Sequence, residues 1–168
     1  MNMSAATVLS VEQYLNTCYD PDVEYVDGTL LERNVGDWLH SLIQSNIIFA
    51  LRTKYPHLKA VPELRSQTTP TRFRLPDVTV LREAPEGRYL TGVALIAIEI
   101  LSEADRMSAI MEKLQEYDER GIPNIWVIDP RRRQLAVFQA GTLQTLTADS
   151  FQTARNEFEL TRAEIFQA

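Results

Sequence analysis

Apolar positions along the chain switch between a period near 3.6 and a period near two, and each switch marks an element. Ser10-Val-Glu-Gln13 has capping-box spacing, in which the serine and glutamine side chains satisfy otherwise free amide N–H groups. A short helix is predicted from near Val11, stopped by Asp20-Pro21. From Val23 to Glu32, strand-like residues flank Asp27-Gly28, a dipeptide that accepts the positive φ of a two-residue hairpin turn. Leu39, Ile43, Ile47, Ala50 and Leu51 recur at helical spacing, predicting an amphipathic helix over 37–54 with Pro56 just beyond.

Residues 60–67 and 74–82 read as two extended segments separated by Thr68-Thr69-Pro70-Thr71. Residues 93–101 (VALIAIEIL) form a nearly continuous apolar run, as a central strand covered on both faces requires. Ser102-Glu-Ala-Asp105 opens a helix by the capping pattern, Gly121 and Pro123 close it, and Ile125 to Ile128 is the next strand. Strand, helix, strand suits a crossover between parallel strands. Strands at 134–139 and 142–147 form a hairpin around Ala140-Gly141, and Thr161-Arg-Ala-Glu164 repeats the capping-box spacing at a last helical turn. The fold class is α/β: a mixed β-sheet flanked by helices, with an N-terminal β-hairpin.

Composition narrows this picture. The 168 residues are expected to form a single domain over 1–168, and 45% apolar with 24% charged residues is ordinary for a globular protein. The longest uncharged apolar stretch, Gly92 to Ile98, ends at Glu99, far short of the roughly 20 residues of a membrane span. The N-terminal MNMSAATVLSVEQ has no basic region and no apolar run, so no signal peptide is expected. A lone Cys18 offers neither a disulfide partner nor a thiolate metal cluster, and a reducing, cytoplasmic setting is expected. The net charge of -6 argues against a protein that coats nucleic acid by bulk charge. Between Arg52 and Leu75, however, six basic residues face one acid, Glu63, a local patch suited to phosphate or to a solvated surface.

Glu99 is the most informative residue. A carboxylate inside a buried strand loses several kcal/mol of hydration unless a cation or strong donors compensate. It is either a strand-end glutamate paired with an arginine or facing water, or part of a site. In Pro76-Asp77-Val78-Thr79-Val80 a second acid starts another apolar strand, so two carboxylates on adjacent strands could meet at one Mg²⁺. Alone, Asp77 is equally a turn residue after Pro76. On a helix running from Ser102, Ile110, Leu114 and Tyr117 make an inward stripe with Lys113 about 60° to its side and Arg106 on the same flank. Lys113 is either a snorkelling surface lysine or an ammonium delivered to the end of the Glu99 strand.

Together these residues resemble the PD-(D/E)XK nuclease superfamily and, within it, the Uma family of restriction-endonuclease-like proteins. The resemblance runs through Val23-Glu-Tyr-Val-Asp-Gly28, His40, Leu75-Pro-Asp-Val78, Ile98-Glu-Ile-Leu-Ser102, Glu112-Lys-Leu-Gln-Glu-Tyr117, Gly121-Ile-Pro123, Ile125-Trp-Val-Ile-Asp-Pro130, Phe158-Glu-Leu160 and Ala163-Glu-Ile-Phe166. It implies a restriction-endonuclease-like sheet with Asp77 and Glu99 as metal ligands. The D/E-X-K pattern expects lysine two residues after the acid, where this chain has Leu101, and the resemblance makes Lys113 the relocated lysine. His40 and Glu24 are implied as auxiliary site residues, His40 being otherwise a hydrogen-bonded core residue on its helix; Glu63, on the strand before Asp77, is either a further acid of the site or an exposed strand residue. Asp129 before Pro130 reads as a turn residue, and Arg131, Arg132 and Arg133 as a solvated turn.

The function this implies is Mg²⁺-dependent hydrolysis of DNA phosphodiester bonds, with Mn²⁺ as a substitute and Arg65, Arg72 and Arg74 contacting the nucleic acid. A homodimer is expected, because cutting both strands with one site per chain calls for two subunits. The alternative is a nuclease fold without chemistry, acting as a binding or oligomeric scaffold. RNA is a further possible substrate.

Overall fold

The computed structural model describes residues 8–34 and 36–167. The first seven residues, part of the stretch read as lacking a leader, lie outside these. In chain order the elements are α1 (Val11–Asn16), β1 (Glu24–Val26), β2 (Thr29–Leu31), α2 (Trp38–Lys54), β3 (Lys59–Pro62), β4 (Ser66–Thr69), β5 (Arg72–Arg74) and β6 (Val78–Leu81). They continue with β7 (Ile96–Ile100), α3 (Met107–Glu119), β8 (Ile125–Asp129), β9 (Gln134–Gln139), β10 (Thr142–Thr145), β11 (Ser150–Gln152), β12 (Glu159–Thr161) and α4 (Arg162–Ile165). Among the described residues, no helix is long and apolar enough to cross a membrane.

Six strands form the main sheet in the order β10-β9-β8-β7-β6-β3, and only β7 and β8, joined through α3, run parallel. The sheet is covered on both faces, which is why the Glu99 strand reads as a continuous apolar run. On one face Ile96, Ile98 and Ile100 pack with Val78, Val80 and Trp126 against Ile43, Ile47 and Leu51 of α2. Phe151, Leu160 and Ile165 close the same layer, the Phe151 ring stacking on Trp126 at 4.6 Å. On the other face Ala97, Ile125 and Val127 pack against Ile110, Leu114 and Tyr117, the inward stripe of α3. Strand periodicity therefore points Glu99, two residues after Ala97, at α3.

A second sheet, ordered β2-β1-β5-β4, is amphipathic in an unusual sense. One face carries Tyr25 and Phe73 onto Tyr14 of α1. The other carries Glu24, Arg72 and Arg74 toward α3, where they meet Glu112, Glu116 and Lys113. The hairpin turn is the anticipated one, with Asp27 and Gly28 at φ 48° and 93°.

Both capping boxes form, at Ser10 with Gln13 and at Thr161 with Glu164. Three expectations are corrected. The segment 74–82 is not one extended strand: Arg74 ends β5 in the second sheet, and β6 starts at Val78 in the main one. The segment 60–67 does not continue as one strand: at Glu63 the backbone turns to φ 49°, so β3 pairs with β6 in the main sheet while β4 pairs with β5 in the other. Nor does α3 begin at Ser102. The Asp105 carboxylate accepts from the Ser102 N–H at 2.7 Å, and this pairing closes a turn; the helix starts at Met107.

Candidate active site

Register builds the site. β6 and β7 are antiparallel with Val78 opposite Ile98 and Thr79 opposite Ala97. Carried one residue beyond Val78, the same register sets Asp77 across from Glu99 on the face turned toward α3. Cross-strand neighbours of this kind bring their side chains within about 5 Å at Cβ. Both carboxylates are buried, Asp77 at 5% and Glu99 at 3% exposure, and both line a cavity of about 270 Å³ with Glu24, Arg33, His40, Arg74, Arg106 and Lys113.

Helix α3 supplies both partners of Glu99. Lys113 and Tyr117 lie four residues apart and so share a helical face. The Lys113 Nζ donates to Glu99 Oε2 at 2.9 Å, and the Tyr117 hydroxyl donates to Oε1 at 2.7 Å. Lys113 also reaches Glu24 Oε1 at 2.9 Å, so its ammonium is held between two carboxylates. Asp77 is held from the other side: Arg33 Nη2 donates to Oδ1 at 2.7 Å, His40 Nε2 stands 3.3 Å from the same oxygen, and the Ile100 N–H donates to Oδ2 at 2.7 Å. Gln44 of α2 donates to the Asp77 backbone carbonyl at 2.8 Å and fixes the strand end.

These surroundings drive the two acids apart. Burial pushes the Asp77 carboxyl up, yet His40, Lys113 and Arg33 outweigh it and hold it below the usual carboxylate range. Burial pushes Glu99 up to about 7, reinforced by the charges of Asp77 and Glu24 and opposed by Lys113. For Lys113, burial acts downward, but Glu99, Glu24 and Asp77 raise it above its ordinary value, so it is a cation and not a free base. The hydrogen bond to Asp77 raises His40 against the effect of its burial. Two acids in one pocket with opposed shifts are a recurring mark of sites that do chemistry.

The donor set fits a divalent cation of a particular kind. Among the described residues, no three His, Cys, Asp or Glu side chains gather into a preformed cage. Two carboxylates on adjacent strands, one of them short of compensating charge, instead fit a hard ion that keeps several waters, as Mg²⁺ does.

Of the auxiliary residues, His40 and Glu24 line the cavity, and Glu63 does not: it is half exposed and meets Arg33 at 3.2 Å from outside. Arg65, Arg72 and Arg74 do not form the anticipated nucleic-acid surface. Arg65 is buried, donating to Asp22 at 2.9 Å and lying 4.5 Å over the Tyr14 ring. Arg74 is enclosed by Glu24 at 3.0 Å and Glu116 at 2.9 Å, and Arg72 pairs with Asp27 and Glu116, both at 2.8 Å. Their charge is neutralised within the protein. Asp129 is the expected turn residue, accepting from the Arg131 and Arg132 N–H groups at 3.0 Å. Sequence reasoning missed Arg33, which no periodicity marks, and the hydroxyl of Tyr117, which its spacing of four from Lys113 could have revealed.

The network around Arg74 has a pH signature. Burial acts to raise the Glu116 carboxyl, but Arg74, Thr68 and Arg72 outweigh it and hold it below its ordinary 4.5; Glu24 is lowered likewise by Lys113 and Arg74 against burial. Carboxyls lowered in the folded state stabilise it above the unfolded-state value, and that stability is lost as pH falls through the folded values. The wild-type Tm should therefore drop steeply below about pH 4.5. Glu116→Gln should start lower at pH 7 and fall less steeply, as circular dichroism melts across pH would show.

The Uma2 family, described as "Putative restriction endonuclease", matches residues 11–163. A solved structure described as a putative nuclease belonging to DUF820, from Anabaena variabilis ATCC 29413, superposes with a TM-score of 0.78 at 19% identity, covering 94% of this chain and 97% of that one. At that identity the likeness establishes a shared fold. A DrdV–DNA complex matches at a TM-score of 0.35 and 12% identity over 76% of this chain and 87% of that one. No curated protein matches the chain.

Proposed function

The chain belongs to the Uma2 family of restriction-endonuclease-like proteins, and on that premise we propose that it is a divalent-metal-dependent nuclease that hydrolyses DNA phosphodiester bonds. The observation that carries this reading is the meeting of Asp77 and Glu99 across one strand pair, with the Lys113 ammonium on Glu99 in the same polar cavity.

Asp77 and Glu99 would hold the cation, Mg²⁺ or Mn²⁺. When bound, the ion supplies Lewis-acid polarisation of a phosphoryl oxygen. The chain's own residues do the rest. Lys113, kept protonated between Glu99 and Glu24, presents a fixed positive charge where negative charge gathers on the phosphorane-like transition state. Its task is charge stabilisation, because a lysine held above its ordinary pKa is a poor proton acceptor. Tyr117 and Ile100 fix one oxygen of each carboxylate, and the cation would take the other oxygens in competition with Lys113 on Glu99 and with Arg33 and His40 on Asp77. With one such cavity in each chain, a double-strand cut would be the work of two chains.

The test is a cleavage screen on supercoiled, linear, branched and single-stranded DNA and on RNA, each with Mg²⁺, Mn²⁺ or EDTA. Metal-dependent cleavage of DNA is the expected result. DNA binding with no metal binding by calorimetry would replace the nuclease reading with a binding role.

The phosphate-facing cation most available to substrate is Arg106. It is exposed at the mouth of the cavity, at the N-terminus of α3, and has no ion pair among the described residues. Arg106→Ala should weaken DNA binding by a similar factor for every sequence and reduce the slope of log K against log salt by about one. Fluorescence anisotropy between low and moderate salt reads both.

A further inference from the structure

Arg33 occupies a position that its neighbours do not. Arg74 is enclosed by Glu24 and Glu116, and Lys113 by Glu99 and Glu24, all of them buried or held inside the fold. Arg33 instead comes from the segment between β2 and α2 and bridges one buried and one exposed acid. Its Nη2 donates to Asp77 Oδ1 at 2.7 Å, and its Nη1 lies 3.2 Å from Glu63, whose side chain is 48% exposed. The next residue, Asn34, donates to Asp105 at 2.7 Å and ties this segment across the mouth of the cavity. Asp77 Oδ1 already has His40 at 3.3 Å, so it keeps a hydrogen-bond partner when the guanidinium leaves.

We infer that Arg33 is a displaceable counter-ion of Asp77: a divalent cation competes with it for that carboxylate, and the released guanidinium then clamps a backbone phosphate of the substrate. This rests on the nuclease reading of the same cavity. The chemistry is that of exchange between like partners. A guanidinium presents the same planar fork to carboxylate and to phosphate, so it moves from one anion to the other without losing its hydrogen bonds. While it stays on Asp77, its charge opposes a second cation there. Substrate that draws Arg33 away removes that opposition, so metal and nucleic acid must strengthen each other's binding by the same factor. Glu63 serves as the way station, an exposed acid that holds the other arm of the fork.

The test uses the full chain, MnCl₂ as the metal probe, and a duplex with phosphorothioate linkages that resist cleavage. Titration calorimetry measures Mn²⁺ affinity with and without duplex for wild type, Arg33→Met and Arg33→Lys. Arg33→Met keeps the apolar stem and removes the charge. It should bind Mn²⁺ about 5- to 10-fold more tightly than wild type, at the low end of ordinary coupling strengths. Duplex should tighten Mn²⁺ binding by a similar factor in wild type and far less in Arg33→Met. Arg33→Lys restores the charge without the fork, so its Mn²⁺ affinity should return toward wild type while its duplex affinity in Mn²⁺ stays reduced.

An Arg33→Met protein that binds Mn²⁺ no more tightly than wild type, or that keeps the full coupling, overturns the inference and leaves the nuclease reading standing. Wild-type protein that binds neither Mn²⁺ nor duplex overturns both. Should Arg33→Met not fold, the wild-type titrations decide: Mn²⁺ affinity unmoved by duplex overturns the exchange.

Discussion

Glu99→Gln should lower the rate of metal-dependent DNA cleavage by at least about 100-fold while the protein becomes more stable at alkaline pH. Glutamine keeps the size of the side chain and an acceptor for the Tyr117 hydroxyl, which lies 2.7 Å from Oε1. What it removes is the negative charge, and that charge is costly where it sits. The carboxyl is pushed up to about 7, above its ordinary 4.5, chiefly by burial and then by Asp77 and Glu24. A raised carboxyl binds its proton more tightly folded than unfolded, so stability declines as pH rises from the unfolded value through the folded one. In EDTA, Glu99→Gln should thus melt near wild type at pH 5 and above it at pH 8. Lys113→Met should lower cleavage by about 10²–10³-fold. The two substitutions should not add, because the ammonium and the carboxylate act as one unit. Cleavage by Glu99→Gln at the wild-type rate would remove Glu99 from the site.

That pairing was legible in the chain because it depends on short-range geometry. An acid inside VALIAIEIL must be buried, Asp77 opens the apolar run before it, and Lys113 sits beside a helical stripe, so three local patterns point at one place. The register that sets Asp77 across from Glu99 makes the convergence concrete. The two-residue hairpin and both capping boxes were equally readable, since each is decided by residues within three or four positions.

What escaped depends on partners far apart in sequence. The basic stretch from Arg52 to Leu75 looks like a phosphate surface because charge counts carry a sign and no direction. Arg65 meets Asp22, and Arg74 meets Glu24 and Glu116, separations of 43, 50 and 42 residues. The break between β3 and β4 turns on the positive φ of Glu63, a residue with no special preference for it. Ser102-Glu-Ala-Asp105 satisfies the helix-capping pattern and forms a turn instead, because the same Asp105 that closes it also accepts from Asn34 across the cavity mouth.

Arg74→Ala should be the most destabilising single change on the charged face of the second sheet, at about 2–4 kcal/mol, because it removes the cation that two buried carboxylates share and leaves Glu24 only Lys113 and Glu116 only the partly exposed Arg72. For a chain of this size that is on the order of 10 °C in Tm. Arg74 is 4% exposed and donates to Glu24 Oε2 at 3.0 Å and Glu116 Oε2 at 2.9 Å, and both acids are themselves buried. Thr68, 2.8 Å from Glu116, and the Leu75 N–H, 3.1 Å from Glu24, are neutral donors and cannot replace the charge. Replacing all three groups together, as Arg74→Met with Glu24→Gln and Glu116→Gln, should be less harmful than Arg74→Ala alone, because the buried negative charges are then removed along with the cation that offset them. Denaturant melts of the two proteins decide the order, and a loss under about 1 kcal/mol for Arg74→Ala would mean that water reaches the network. The loss extends to the active site, because Glu24 also holds Lys113 at 2.9 Å. Arg74→Ala should therefore cleave more slowly even at temperatures where it is fully folded. On the proposed function, the second sheet would act on the reaction through one ion-pair chain, from Glu116 through Arg74 and Glu24 to the Lys113 ammonium.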